Sequence, residues 1–285
     1  MASDITIPRL TEQGALPRLR AGISINRLRQ LARGVAPALW LAVFPVVVLS
    51  TWWWGTTAGW LPEQILPRPG EVLHALIEMT RSGELGAHAG ISLLRVAYGF
   101  VAGAAIGLVL GAAMGLSRTV DDYVAPLFTA IAQVPALAWI PLAMLLLGIG
   151  EALKVVVIAK ATLVPVVMNT RAGVRSVPRG LVEVGDSFRF STWQALRLIV
   201  LPGAVPPIFT GLRYGLTHAW IALVSVELLA SSEGLGYLLV WGRQMFWLDT
   251  VLMAMLVIGV IGFASDKVLA MVERRLQRWR TDGVV

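Results

Sequence analysis

The 285-residue chain has no cysteine, and the dipeptide Gly-Lys never occurs in it. The first absence excludes a disulfide framework, a thiolate nucleophile and a cysteine metal site. The second excludes the G-x-x-x-x-G-K-[ST] phosphate loop, so ATP is not bound here in that manner. Neither the G-x-S-x-G elbow nor H-E-x-x-H is present. The three histidines, His74, His88 and His218, fall in different segments and have no metal-ligand spacing. Charge is also scarce, at 14% of residues against 56% hydrophobic, too little to cover the surface of a water-soluble domain of this length. The net charge of +7 does not indicate nucleic acid, because the basic residues flank apolar runs rather than lining one amphipathic face.

Long apolar runs are what the chain does contain. A bilayer core of about 30 Å needs roughly 20 apolar residues in a helix. Six stretches qualify: about 35–54, 88–116, 125–148, 152–170, 204–230 and 250–271. The reading is an all-α, polytopic membrane protein with a transmembrane domain over 35–271. An N-terminal tail (1–34) precedes it and a C-terminal tail (272–285) follows. The tail 1–34 is polar and Arg-rich and is not read as a signal peptide.

Of the 24 Lys and Arg residues, sixteen flank the runs on one side. Six precede the first run, Arg118 follows the second, five from Arg171 to Arg197 separate the fourth and fifth, and four follow the sixth. The opposite loops carry only Arg68, Arg81, Lys154 and Arg243. The positive-inside rule then puts both termini and the 171–203 loop in the cytoplasm. Trp52, Trp53, Trp54 and Trp60, with Trp241 and Trp247, suit an aromatic belt at the other face. Between the first two runs, Pro69-Gly70-Glu71 opens an amphipathic pattern, Val72, Leu73, Leu76, Ile77 and Met79, that predicts a short surface helix.

Within the second run a glycine recurs at every fourth position: Gly99, Gly103, Gly107, Gly111 and Gly115. This aligns them into one groove for close helix packing, against a helix of the same chain or of a second copy. Prolines interrupt other runs: Pro135 and Pro141, Pro165, and Pro206 and Pro207. They are expected to kink or end helices, either to expose backbone to a pathway or as tolerated irregularities. Arg95, Lys160, Arg213, His218 and Glu227 lie at membrane depth, with Gln133 and Asn169 beside them. Burying a charge there costs about 2.5 kcal/mol or more, so each needs water, substrate or an internal partner. Gln133, Trp139, Arg213, His218 and Glu227 are the candidate substrate-pathway residues. Among the residues singled out, three cations, Arg95, Lys160 and Arg213, stand against one carboxylate, Glu227, which favours an anionic substrate.

One polar, proline-bounded segment, residues 178–207, separates two of the runs. It reads Glu183-Val184-Gly185, then Arg189 after three residues, then Ile199 after nine, then Leu201-Pro202. This spacing resembles the cytoplasmic coupling segment of ATP-binding cassette importer permeases, E-A-A, three residues, G, nine residues, I, one residue, L-P. Val184 and Gly185 stand in place of the alanines, and Arg189 in place of the glycine. ILPRPGEV, SLLRVAYGFVAGAAIGLVLGAAMGLS, VPALAWIPLAMLLLGIGE, LPGAVPPIFTGLRYGL and SSEGLGYLL extend the likeness over most of the chain beyond residue 35, to the aliphatic sulfonate, taurine and nitrate/bicarbonate group.

That resemblance implies a type I importer permease with a coupling loop over 178–203. Glu183, Val184, Gly185, Asp186, Phe188, Arg189, Ile199, Leu201 and Pro202 would serve ATPase coupling. It implies no enzymatic activity or cofactor on this chain, with ATP and Mg held by a partner ATPase. The expected partners are a second permease copy, two cytoplasmic ATPase subunits, an extracytoplasmic binding protein and the inner-membrane bilayer, with no nucleic acid. An ion-gradient transporter and a non-transporting membrane scaffold are the competing readings.

Overall fold

The computed structural model describes residues 43–60, 62 and 65–277. The tail expected over 1–34, the start of the first run and residues 278–285 lie outside them. The chain divides into two compact units, 1–54 and 55–285. Residues 43–57 are helical (α1) and carry exposed Phe44, Val46, Trp53 and Trp54.

The second unit begins with the amphipathic helix that the 69–82 pattern predicts. It is α2, Pro69–Ser82, started by the Arg68 backbone N–H donating to Glu71 Oε2 at 3.0 Å and closed by Gly83 at φ 83°. Next come α3 (Glu84–Leu116), α4 (Arg118–Gln133), a 3₁₀ turn (Ala136–Trp139), α5 (Ile140–Leu147) and α6 (Glu151–Arg175). They are followed by α7 (Arg179–Ser187), α8 (Thr192–Ala195), a π-helical turn (Leu196–Val200), α9 (Leu201–Ala230), α10 (Leu235–Gln244) and α11 (Leu248–Leu276). No strand occurs among the described residues.

The centre of this unit is α6, held between α3 and α9. On the α3 side the five-glycine groove receives it. A Cβ at Gly107 would come 2.9 Å from Val166, and one at Gly111 2.7 Å from the Val167 carbonyl. On the α9 side Gly211 and Gly215 play the same part, meeting Asn169, Val166 and Thr162. Backbones this close supply dispersion contacts that lipid cannot match. Val96, Leu153, Val157, Ile158, Ala219, Leu223 and Val226 fill the seam. Large apolar side chains such as Val109, Leu145 and Val260 are exposed on the outer faces.

Among the described residues three helices are long and apolar enough to cross a membrane: α3, the continuous Thr192–Ala230 and α11. α6 is not among them, although the sequence pattern marks 152–170. It is sheathed by its neighbours, so it carries charged residues that a lipid-facing helix could not.

The run expected as one helix over 125–148 is broken. α4 and the 136–147 segment meet at 87°, at Val134-Pro135. Pro135 has no N–H to donate and disfavours helical backbone at the residue before it, and Val134 is extended at φ −81°, ψ 116°. At Pro165, Pro206 and Pro207, by contrast, the helices continue. Asn169 and Thr210 side chains bond to the carbonyls of Pro165 and Pro206. Ahead of Pro202 the π turn widens the backbone where the proline ring would press on the Leu198 carbonyl.

Candidate functional site: coupling surface and central cavity

The segment between α6 and α9 is a helical hairpin whose bend has a specific construction. The Phe190 N–H donates to the Gly185 carbonyl at 3.0 Å and the Arg189 N–H to the Asp186 carbonyl at 2.9 Å. These paired bonds are a Schellman cap, which needs a left-handed residue at its corner. That residue is Arg189, at φ 55°. The position where the resembled pattern has glycine therefore keeps the glycine conformation with an arginine in it. Ser191 then caps α8, accepting from the Gln194 N–H, while the Gln194 side chain accepts from the Ser191 N–H.

The motif residues divide by direction. Gly185 is buried, and Ile199 closes over it, with a Cβ on Gly185 falling 2.7 Å from Ile199 Cδ1. Glu183, Val184, Asp186, Phe188, Arg189 and Leu201 point outward, and Pro202 is half-buried. Val184, Phe188, Trp193 and Leu198 are thus exposed apolar side chains on the hairpin, with Phe188 73% exposed.

Two ion clusters lie toward the ends of α6. At one, Arg95 is 2% exposed. It reaches Glu151 through two bonds of 2.7 and 2.6 Å, Glu227 at 2.8 Å, and Glu233 at 3.0 Å. Glu227, fully buried, also accepts from Ser92 and from the Gly236 N–H, which ties the α9–α10 turn to α3. His88 accepts from the Gly234 N–H in the same turn. The Arg95 guanidinium, outweighing the opposing effect of burial and aided by Lys154, lowers the Glu151 carboxyl to about 2.

At the other end, Asp121 of α4 pairs with Arg171 at 2.6 Å and Arg175 at 2.7 Å. Burial pushes the Asp121 carboxyl up, but the two arginines outweigh it and hold it below the ordinary carboxylate value. Glu151 and Arg171 are twenty positions apart on α6, about 30 Å at 1.5 Å per residue.

Between the clusters, beside the break at Val134-Pro135, lies a cavity of about 700 Å³. Gln133, Lys160, Asn169 and His218 supply its polar lining. The Lys160 ammonium donates to the Val134 carbonyl at the break and stands 5.7 Å from the centre of the Trp139 ring. His218 Nδ1 lies 2.8 Å from the Tyr214 carbonyl.

Of the five candidate pathway residues, then, Gln133 and His218 line this cavity and Trp139 flanks it. Glu227 belongs to the Arg95 cluster. Arg213 makes two 2.9 Å bonds to Asp266 of α11, in a separate groove of about 310 Å³ that also holds Glu273. Glu151, Glu233 and Asp121 escape sequence reasoning because each lies outside the apolar runs, where a carboxylate needs no explanation.

A helical bundle with a broken span beside a polar cavity, and a helical hairpin projecting from one end, has the build of a membrane permease. Residues 103–278 match the family described as binding-protein-dependent transport system inner membrane component, and the chain belongs to that family. It is 33% identical over 267 residues to a Bacillus subtilis (strain 168) permease assigned to aliphatic sulfonates transport, covering 94% of this chain and 96% of that protein. It is 36% identical over 238 residues to the taurine transport system permease protein of Escherichia coli (strain K12), covering 82% and 86%. A crystal structure of an amino acid ABC transporter with histidines has the same fold, with a TM-score of 0.52 at 17% identity over 72% of this chain and 98% of that one. The protein is thus an inner-membrane permease subunit of the ATP-binding cassette importer type. It is not an enzyme, and the ATPase is a separate chain.

Proposed function

We propose that this subunit is the conduit of an ATP-driven importer for a small anionic solute, working by alternating access between two permease copies. In this reading six spans cross the membrane with both termini in the cytoplasm. Two ATPase subunits carrying ATP and Mg dock beneath the pair, and an extracytoplasmic binding protein delivers the solute. The relatives named for aliphatic sulfonates and taurine support an oxyanion group on the solute, since both solute types bear a sulfonate.

The observation that carries the reading is the two-faced hairpin. Gly185 and Ile199 hold it together from inside, while Val184, Phe188 and Trp193 are presented outward. Exposed apolar side chains on this loop cost free energy in water, which a partner surface relieves. A rigid hairpin continuous with α9 through the π turn can pass nucleotide-driven closure of that partner to the bundle as a tilt.

The test is the double variant Val184→Asp with Phe188→Asp, assayed for membrane insertion, ATPase co-purification and solute uptake. Insertion is expected to persist while co-purification and uptake are lost. Uptake at the wild-type rate would refute the coupling role.

A further inference from the structure

Five cations fall in the apolar runs. Lys154 pairs with Glu151 and Lys267 stands over the Phe263 ring, and the surroundings of the other three differ in kind. Arg95 is surrounded by Glu151, Glu227 and Glu233. Arg213 is paired with Asp266 and approaches Glu273. Lys160 has no carboxylate within ion-pair distance among the described residues, and no carboxylate lines the cavity it enters. A lysine ammonium has three protons to donate, and its one hydrogen-bond acceptor among the described residues is the Val134 carbonyl. Two donors therefore remain for the cavity, and the positive charge meets the Trp139 ring, 5.7 Å away, but no carboxylate among the described residues. A charge at this depth is expensive unless a counter-charge or water meets it.

Lys160 lies nine positions from Glu151 and eleven from Arg171 on α6, about 13 and 16 Å along the axis. Its charge is accordingly near the midpoint between the two ion clusters. The rest of the lining suits an amphiphilic anion. Asn169 and Gln133 supply amide groups and His218 an imidazole, whereas Val164, Met168 and Ile221 are apolar. A volume of about 700 Å³ falls in the range of small-molecule sites.

We propose that this cavity is the solute site of the permease. Lys160 supplies the charge that binds a monovalent oxyanion on a small organic body, and the Val164–Met168–Ile221 wall receives the body. The proposal rests on the importer reading and assigns its anion selectivity to one residue. Arg95 and Arg213 are paired with carboxylates and take no part in charge recognition. The Lys160–Val134 bond also joins the charge to the break in the third run, so an arriving oxyanion competes with that carbonyl for the ammonium.

The experiment uses the complete transporter, permease with its ATPase and binding protein, in proteoliposomes with ethanesulfonate as probe and ethylammonium as the cationic counterpart. Lys160→Met keeps an unbranched side chain of nearly the same length and removes the charge, and Lys160→Arg keeps the charge. Loss of a charge-assisted contact predicts a rise in ethanesulfonate KM of roughly tenfold to a hundredfold in Lys160→Met, with recovery in Lys160→Arg. Co-purification of the ATPase with each variant reports assembly separately and is expected in both. An unchanged KM in Lys160→Met, or uptake of ethylammonium by the wild type, would overturn the assignment while ATP-driven uptake left the importer reading standing. Absence of any ATP-dependent uptake by the wild type would remove the importer reading and this proposal together.

Discussion

Arg95 and Glu227 stand 132 positions apart in the chain, yet their side chains meet at 2.8 Å with both removed from solvent. The pair joins α3 to the end of α9, and through Glu151 and Glu233 it holds four segments at one end of the bundle. Removing one member of a buried pair leaves an uncompensated charge, which typically costs about 3–5 kcal/mol. Arg95→Met is expected to lower the thermal midpoint of the purified protein substantially. Arg95→Met combined with Glu227→Gln is expected to be less damaging than the two single effects added. Scanning calorimetry or tryptophan fluorescence on the four proteins checks this, and strict additivity would deny the coupling.

The left-handed backbone at Arg189 makes a second expectation. A non-glycine residue in that region is held at a cost of about 1–2 kcal/mol. Arg189→Gly relieves the strain, offset by the roughly 0.5–1 kcal/mol that glycine's freer unfolded chain takes back. The variant should therefore import at close to the wild-type rate with equal or slightly greater stability. Arg189→Val, β-branched and unable to adopt the cap, should resist less protease at the hairpin and import more slowly. Uptake assays and limited proteolysis on both variants decide it.

The glycines of α3 are not equivalent. A Cβ at Gly111 falls 2.7 Å from the Val167 carbonyl and 2.8 Å from Thr170 Cβ, whereas one at Gly90 meets nothing within 4 Å. Gly111→Ala forces α3 from α6 and should cost on the order of 1–3 kcal/mol or more, the usual range for overpacking. Gly90→Ala should be neutral or stabilising by roughly 0.5–1 kcal/mol, because glycine inside a helix is the less favourable residue. Melting temperatures of the two alanine variants provide the comparison.

A pH dependence follows from Glu151. Its carboxyl is lowered to about 2 in the folded protein, chiefly by the hydrogen bond from Arg95. A depressed carboxylate contributes stability above its ordinary value, near 4.5, and loses it as pH falls toward 2. The wild type should therefore lose more thermal stability between pH 6 and pH 3 than Glu151→Gln, in which this contribution cannot titrate. Parallel slopes for the two proteins would remove Glu151 from the acid response.

The apolar helices α3, α9 and α11, the helix at Pro69 and the helical hairpin between Glu183 and Pro202 were legible because each depends on local periodicity or spacing. The break at Pro135 was legible as an irregularity, while its 87° angle was not. A missing N–H says where a helix weakens, but neighbouring helices decide where the chain goes next. Pro165, Pro206 and Pro207 make the same point in reverse. Their helices continue, with Gly211 of α9 packed against Pro165 and Pro207 packed against Gly173 of α6, so the surrounding bundle holds them.

The role of the intramembrane ions was less accessible. Composition showed an excess of cations over carboxylates in the runs, and from that an anion preference was shared among Arg95, Lys160 and Arg213. The carboxylates that neutralise Arg95 come largely from loop and helix-end positions, Glu151 and Glu233, and Arg213 finds Asp266 on a helix fifty-three positions away. Pairing across such separations has no one-dimensional signature.

By itself, then, the sequence determined the class: a membrane bundle, with a glycine-lined helix and a hairpin whose spacing marks an ATPase-coupled permease. Hydrophobicity, glycine period and turn chemistry are local properties, and they can be read in order along the chain. Only the tertiary structure decided that the glycine groove is filled by α6 of the same chain, that Arg189 occupies a glycine conformation, and that Lys160 faces a cavity without a carboxylate. The physical reason is that burial and charge compensation depend on which distant segments meet. In a helical bundle that is set by packing across the seam, and not by neighbours in sequence.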